Sequence, residues 1–169
     1  SLDVLRAMGK DPLAQPALLH AGDLVFAPTQ VLCPGLKDLL DVRRTVGVRN
    51  TAHSLVKLMN PVQHDNTAAA KHHTLLVSSY THPEYAQSMA DTFALTGERA
   101  LLLRGTEGEV VADARRVPSM NAFVGGVCTP LVQAQTGALT HLPELPQHID
   151  AHSTARYTQE VLAGQLPVP

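Results

Sequence analysis

The residues best suited to chemistry in this sequence are three closely spaced arginines, Arg43, Arg44 and Arg49, with Gly47 between them. A guanidinium group is always charged, and its planar fork of N–H donors matches the oxygens of carboxylates and phosphates. Asn50 can serve as the N-cap of a following helix, whose first N–H groups would point toward the same place. The spacing therefore predicts an anion-binding site.

The structural alternative for these arginines is a solvated helix end. A helix over residues 35–46 would place Arg43 and Arg44 in its last turn, within reach of Asp38 and Asp41. Arginines that pair with carboxylates on a surface are common and need no function. Both interpretations stay open on the residue pattern alone.

A second group of charged residues follows a buried strand predicted at 100–103. In open α/β sheets, ligands bind beyond the carboxyl ends of the strands, so a Gly-containing charged loop there is a candidate site. The alternative is a surface loop of mutually compensating charges, to which Glu98 and Arg99 also contribute. The charged residues of this loop are Arg104, Glu107, Glu109, Asp113, Arg115 and Arg116.

Length and composition exclude several classes of protein. The 169 residues fit one domain or a large part of one, and 44% apolar with 4% aromatic residues predict an aliphatic core. The net charge of -2 means that anion binding must come from a local patch. Cys33 and Cys128 form neither a zinc motif nor a disulfide framework. Without an apolar run long enough for a bilayer or a signal-peptide pattern, the sequence predicts a cytoplasmic protein with no membrane partner.

The clearest local pattern is a strand, a helix and a second strand with short connections. Thr81 and Glu84 have the spacing of a capping box, and Gly97 has the position of a helix C-cap. Such a unit is a right-handed crossover between parallel strands. The sequence therefore predicts an α/β fold with a largely parallel sheet flanked by helices. The three elements are predicted over residues 74–78, 81–97 and 100–103.

The remaining elements are predicted from apolar spacing and from end signals. Residues 105–120 are predicted to form a charged loop, and Asp150 is predicted to cap a last helix that ends at Gly164. The apolar face of the helix at 81–97 is assigned to Tyr85, Met89 and Phe93. Further helices are predicted over residues 2–8, 12–20, 35–46 and 51–59, and further strands over residues 24–26 and 127–133.

Three stretches resemble anthranilate phosphoribosyltransferases, which have the glycosyltransferase family 3 fold. SLDVLRAMG (1–9) is similar to the helix after their first active-site strand, VRRTVGVRNTAHSLVKLMNP (42–61) to their arginine-rich segment, and LLLRGTEGE (101–109) to their HGxDGLDE stretch. The pieces THPEY, RGTEGE and DARR resemble most a divergent branch, the YbiB-type proteins. The resemblance spans residues 1–164. It implies the C-terminal portion of a phosphoribosyltransferase- or nucleoside-phosphorylase-like α/β domain, with a helical dimerisation domain and the diphosphate-binding loop upstream of residue 1.

Departures from the family pattern bear on function. The enzymes bind magnesium through an Asp-Glu pair, and alignment on Gly108 puts Val110 and Val111 at those positions. Arg104 replaces the enzymes' histidine, and Lys57 stands in the element that replaces their LGPL. The resemblance to the YbiB-type branch implies a homodimer that binds nucleic acid, DNA in particular, without sequence preference. It implies no cofactor, no metal site and no catalytic residue. The implied contacts are Arg43, Arg44, Arg49, Lys57, Arg104, Arg115 and Arg116.

The family also implies an alternative, an active anthranilate or related phosphoribosyltransferase that uses phosphoribosyl diphosphate and magnesium. Arg43 matches the arginine with which the family contacts anthranilate, so substrate binding stays open. A third possibility is a fold relic whose arginines are structural. Whether the chain is an enzyme is therefore undecided by the sequence.

Overall fold

The computed structural model describes residues 2–62, 74–106, 112–113, 115–139, 144–148 and 150–168. The chain divides into two units, residues 1–50 with 143–169 and residues 51–142. The helices are α1 (Leu2–Ala7), α2 (Thr29–Leu32), α3 (Pro34–Val46), α4 (Ala52–Leu55), α5 (Glu84–Thr96) and α6 (Ala151–Leu162), with a 3-10 turn at Val56–Leu58. The strands are β1 (Leu76–Tyr80), β2 (Ala100–Arg104), β3 (Met120–Val124) and β4 (Val127–Val132). None of the helices in the described ranges is both long and apolar enough to cross a bilayer.

The second unit is built on a four-stranded sheet in the order β1-β2-β3-β4. β1 and β2 pair in parallel, from Leu76 opposite Ala100 to Tyr80 opposite Arg104, and α5 connects them. This strand–helix–strand unit confirms the α/β prediction. The prediction of a largely parallel sheet is wrong, because β3 pairs antiparallel with both β2 and β4.

A two-residue turn explains the antiparallel half of the sheet. Gly125 and Gly126 join β3 to β4 with φ values of 57° and 84°, a left-handed conformation that glycine adopts at little cost. A turn this short can connect only antiparallel neighbours. The sequence prediction placed β4 nearly at its observed bounds but missed β3, although a Gly-Gly pair between two apolar runs is a recognised hairpin signal.

Strand β4 forms the outer edge of the hairpin, and most of its residues are exposed. Pro130 lies in this strand opposite Asn121. Proline has no backbone N–H and is found in sheets at edges or bulges. Its position in the sequence therefore agrees with an edge strand.

The core of the second unit lies between α5 and one face of the sheet. Its buried apolar residues are Met89, Phe93, Ala100, Leu102 and Phe123. The ring centroids of Phe93 and Phe123 lie 5.5 Å apart, within the favourable range for an aromatic pair. Gly126 lets the hairpin approach α5, because a Cβ at this position would lie 2.8 Å from the carbonyl oxygen of Ala94.

One end of α5 confirms its prediction and the other does not. Gly97 ends the helix with a left-handed φ of 67°, and its N–H donates to the carbonyl of Phe93. The capping box at Thr81 does not form, because the N-cap residue is Pro83 and no side chain caps this end. Tyr85 was expected in the core but is 43% exposed, since it lies in the first turn of the helix, away from the buried cluster.

In the first unit, α1 packs against α6. α6 begins as predicted, with an Asp150 carboxylate oxygen that accepts a hydrogen bond from the backbone N–H of Ser153 at 2.8 Å. α3 also agrees with its prediction, since Pro34 occupies the first turn and Gly47 is the left-handed C-cap.

The helix predicted over residues 12–20 does not form. Pro16 would fall in its interior, where proline removes a backbone hydrogen bond and clashes with the preceding turn. The strand predicted over residues 24–26 is reduced to a single parallel bridge between Pro12 and Phe26.

Candidate functional site

The first group of arginines lies at a helix C-terminus. Arg43 and Arg44 occupy the last turn of α3, and the N–H of Gly47 donates to the carbonyl of Arg43 at 2.8 Å. The unpaired backbone groups at this end are carbonyls, which attract cations and repel anions. Backbone groups of α3 therefore stabilise the arginines but contribute nothing to anion binding.

The helix start expected beside these arginines forms at Ala52, one residue later than predicted, and a 3-10 turn over Val56–Leu58 continues it. α4 contains only Ala52–Leu55, and its N-cap is Thr51, without a side-chain cap bond. The side-chain amide of Asn50 instead donates to the carbonyl of Leu39 at 2.6 Å. The structure thus places the N-cap of α4 at Thr51, one residue after the predicted Asn50.

The ion pairs of the first group divide its arginines. Arg44 Nε lies 3.5 Å from a carboxylate oxygen of Asp41, as the structural alternative expected, and Lys37 also bonds to Asp41. The hydrogen bond from Lys37 is the main cause that lowers the pKa of Asp41; burial opposes it, and the charges of Arg44 and Lys37 lower the pKa further. Within the part of the chain that the structure describes, Arg43 and Arg49 are exposed and make no ion pair.

Lys57 lies in the second unit and is held against strand β1. Its ammonium group donates to the carbonyl of Ser79 at 3.1 Å, and the hydroxyl of Ser78 donates to the carbonyl of Lys57 at 2.6 Å. Ser78 and Ser79 are completely buried. The two bonds fasten the 3-10 turn to the outer strand of the sheet.

Arg104 is the last residue of β2 and lies opposite Tyr80, at the carboxyl ends of the two parallel strands. The N–H of Gly105 donates to the carbonyl of Tyr80 at 3.0 Å, which keeps the two strand ends together. The Arg104 side chain is exposed, and among the described residues it has no carboxylate partner. Lys57 and Arg104 thus meet the same end of β1, at consecutive residues.

Arg115 and Arg116 both have hydrogen-bond partners within the protein. Two nitrogens of Arg115 bond to the two carboxylate oxygens of Asp113 at 2.9 and 2.8 Å. The hydrogen bonds from the Arg115 side chain and backbone lower the pKa of Asp113 to about 2, and the carboxylate raises the pKa of Arg115. Arg116 donates to the carbonyl of Gly137 at 2.7 Å.

The seven predicted cations therefore fall into two sets. Four have internal partners, and the three exposed arginines without a carboxylate partner in the described ranges are Arg43, Arg49 and Arg104. Sequence reasoning missed the hydrogen bonds of Asn50 and Lys57, since nothing in the residue order signals a bond to a distant carbonyl. Glu107, Glu109, Val110 and Val111 lie outside the described residues. Where side chains are described, no group of three or more His, Cys, Asp or Glu could hold a metal ion.

Comparisons with known proteins relate the chain to two kinds of protein. It is 40% identical to the uncharacterized protein YbiB of Escherichia coli (strain K12) over 145 residues, which is 86% of this chain and 42% of YbiB. It is 30% identical to anthranilate phosphoribosyltransferases from strains of Saccharolobus islandicus over 112 residues, 64% of this chain and 30% of the enzymes.

No family model matches the sequence. The chain spans less than half the length of the curated relatives that it matches. The similarity to YbiB covers more of the chain and at higher identity than the similarity to the enzymes. The sequence is thus loosely similar to the anthranilate phosphoribosyltransferases and more strongly similar to YbiB.

Proposed function

We propose that this protein binds nucleic acid, DNA in particular, without sequence preference, on a scaffold related to anthranilate phosphoribosyltransferase. The observation that carries the proposal is the set of three exposed arginines, Arg43, Arg49 and Arg104, none of which has a carboxylate partner among the described residues. Unpaired guanidinium groups on a surface are suited to the phosphates of a nucleic acid backbone.

The remaining four cations are expected to contribute less to phosphate binding. A guanidinium that already forms a two-pronged pair with a carboxylate, as Arg115 does with Asp113, brings little net charge to a phosphate. Arg44 makes a single, longer contact, with its Nε 3.5 Å from one carboxylate oxygen of Asp41. Lys57 and Arg116 donate to backbone carbonyls and would have to give up those bonds to reach a ligand.

We expect binding to be indifferent to the nucleic acid sequence because few aromatic side chains of the chain are exposed. Base stacking on aromatic side chains is a main source of binding energy in proteins that grip unpaired bases. Phe93 and Phe123 are buried in the core, and Tyr85 is the most exposed aromatic residue. Phe26, Tyr80 and Tyr157, the other three, are partly buried. With so little stacking surface, contacts to phosphates dominate.

The alternative is an active phosphoribosyltransferase. The 30% identity to anthranilate phosphoribosyltransferases and the match of Arg43 to their anthranilate-contacting arginine favour it. Val110 and Val111 argue against it, because a valine side chain has no oxygen with which to bind magnesium.

We also propose that the full-length protein is a cytoplasmic homodimer. Light scattering of the purified protein measures its mass and so tests whether it is a dimer.

The test is fluorescence anisotropy of a labelled DNA duplex with the full-length protein over a series of salt concentrations. Three phosphate contacts from one chain predict a slope of about −2.7 in the plot of log affinity against log salt, or about a 40-fold loss of affinity between 50 and 200 mM. Changing the duplex sequence at constant length should leave the affinity unchanged.

Absence of binding at the lowest salt would overturn the proposal. The alternative is then examined with isotope-labelled phosphoribosyl diphosphate, magnesium and a panel of aromatic amines and bases. Magnesium-dependent release of diphosphate with one of these acceptors would identify a transferase.

A further inference from the structure

We infer that Asn50 is a positioning residue for Arg49, and that it acts by folding the segment after α3 back along that helix. The inference rests on the proposed binding of nucleic acid and concerns how one of its three exposed arginines is held. The carrying observation is the 2.6 Å hydrogen bond from the side-chain amide of Asn50 to the carbonyl of Leu39, eleven residues earlier in the chain.

This hydrogen bond requires the chain to reverse its direction after α3. α3 ends at Val46, and Gly47 turns the chain with a left-handed φ of 80°. Leu39 lies seven residues before the helix end, about 10 Å along the axis at 1.5 Å per residue. An amide that reaches its carbonyl therefore requires residues 47–50 to run back beside the last two turns of α3.

This reversal fixes the backbone of Arg49 next to the helix end that carries Arg43. Arg49 immediately precedes the tethered residue, so its Cα cannot move far while the bond is made. The acceptor is well suited to the task, because a carbonyl oxygen has two lone pairs and can serve the helix and a side chain together. We therefore expect Arg43 and Arg49 to contact the same stretch of nucleic acid backbone.

We expect loss of the tether to weaken nucleic-acid binding through Arg49. Without the Asn50 amide, Arg49 samples more positions, and binding must restrict them again. We therefore expect Asn50→Ala to behave as a weaker form of Arg49→Ala. The Arg49→Ala change removes one phosphate contact and should reduce the magnitude of the salt slope by about 0.9. The loss of affinity between 50 and 200 mM salt should then be about 3.5-fold smaller than in the wild type.

The experiment is a double-mutant cycle in the duplex-binding assay with the full-length protein. Its members are wild type, Asn50→Ala, Arg49→Ala and the double variant, each measured over the salt series. We expect the double variant to bind no more weakly than Arg49→Ala, because both changes remove the same contact. Asn50→Gln keeps an amide donor and should recover most of the wild-type slope.

Asn60→Ala is the matched control. Asn60 also uses its side chain for internal hydrogen bonds, to Thr74 and the N–H of Val62, but it lies in the second unit and near none of the three arginines in sequence. The Asn60→Ala protein should retain the wild-type salt slope of duplex binding even if its melting temperature falls. If Asn50→Ala does not fold, Asn50→Ser replaces it, since a hydroxyl is too short to reach the Leu39 carbonyl.

The outcomes separate the two proposals. A wild-type protein that does not bind duplex overturns the nucleic-acid function and this inference with it. A wild-type protein that binds, with Asn50→Ala at the wild-type slope and affinity, overturns only the role of Asn50. Additive losses in the double variant would also overturn that role, because they would show that Asn50 acts independently of Arg49.

Discussion

The ammonium group of Lys57 donates a hydrogen bond to the backbone carbonyl of Ser79, and the hydroxyl of Ser78 returns one to the carbonyl of Lys57. Within the described ranges strand β1 is an outer strand of the sheet, and both serines are completely buried. The pair of bonds gives Lys57 a clear role in the fold. A change at Lys57 can therefore be tested separately for its effect on stability and on nucleic-acid binding.

Lys57→Met should lower stability without changing the salt dependence of duplex binding. Methionine keeps most of the side-chain volume but removes the hydrogen bond from a charged donor to the buried Ser79 carbonyl, at a cost of about 1–3 kcal/mol in the free energy of unfolding. Denaturant unfolding measures the cost. Lys37→Met is the control, because the Lys37 pair with Asp41 is more open to solvent and should contribute less than about 1 kcal/mol. A reduced salt slope for Lys57→Met would instead place Lys57 on the nucleic-acid surface.

Arg43→Ala and Arg44→Ala should differ although the two residues are neighbours. Arg43 makes no ion pair within the described ranges, whereas Arg44 lies 3.5 Å from the carboxylate of Asp41. Removing Arg43 should therefore reduce the magnitude of the salt slope by about 0.9, and removing Arg44 should reduce it by less. Anisotropy titrations over the same salt series make the comparison. Equal effects of the two changes would mean that the Asp41 pair opens when nucleic acid binds.

Asp113 should titrate at unusually low pH. The hydrogen bonds from Arg115 lower its pKa from 3.8 to about 2 in the folded protein. A carboxyl group whose pKa is lower when folded stabilises the fold above its unfolded pKa, and this contribution is lost as the pH falls from about 4 to about 2. The carboxyl carbon shift of Asp113, followed by NMR against pH, measures the folded pKa.

In the Arg115→Gln protein the pKa of Asp113 should move back toward 3.8. The backbone N–H of Arg115 remains at that position and also bonds to the carboxylate, so a partial return is expected. A value that stays near 2 after this change would rule out the guanidinium as the main cause.

Gly126→Ala should be more damaging than Gly125→Ala. Both glycines have positive φ, which costs any other residue about 1–2 kcal/mol. Only at Gly126 would the new Cβ also meet the carbonyl oxygen of Ala94, at 2.8 Å, while at Gly125 no atom lies within 4 Å. Thermal or denaturant unfolding of the two variants separates the contact from the backbone conformation. Equal losses would show that the hairpin can move away from α5.

The sequence was sufficient where local signals and the final fold agree. The apolar spacing and Gly97 located α5, and the short connections on either side predicted the parallel pairing of β1 with β2. Asp150 at the start of α6 was equally readable, because the cap bond spans only three residues. Each of these features depends on neighbours in the chain.

The wrong predictions of secondary structure occurred where two local signals in the sequence conflict. Pro16 excludes the helix that the apolar residues at 12–20 suggested, and Pro83 takes the N-cap position that Thr81 was expected to fill. Strand β3 (Met120–Val124) was not predicted at all, so its antiparallel direction was missed as well. Antiparallel pairing of this strand follows from Gly125 and Gly126 rather than from the strand's own residues.

The candidate site was predicted in composition but not in its pairing. All seven cations could be named from the sequence, yet the separation of Arg43 from Arg44 depends on which side chain reaches Asp41. The bond from Asn50 to Leu39 spans eleven residues and was hidden by the equally plausible role of Asn50 as a helix cap. Long-range hydrogen bonds of this kind have no periodic signature.

Pro130 has a consequence for the solubility of the protein. An open edge strand with exposed apolar side chains such as Val127 and Leu131 is the kind of surface on which other chains add as further strands and grow into aggregates. A residue without an N–H in the middle of that strand breaks the row of donors that an incoming strand would need. The proline thus allows the sheet to end in water and discourages the protein from aggregating through that edge.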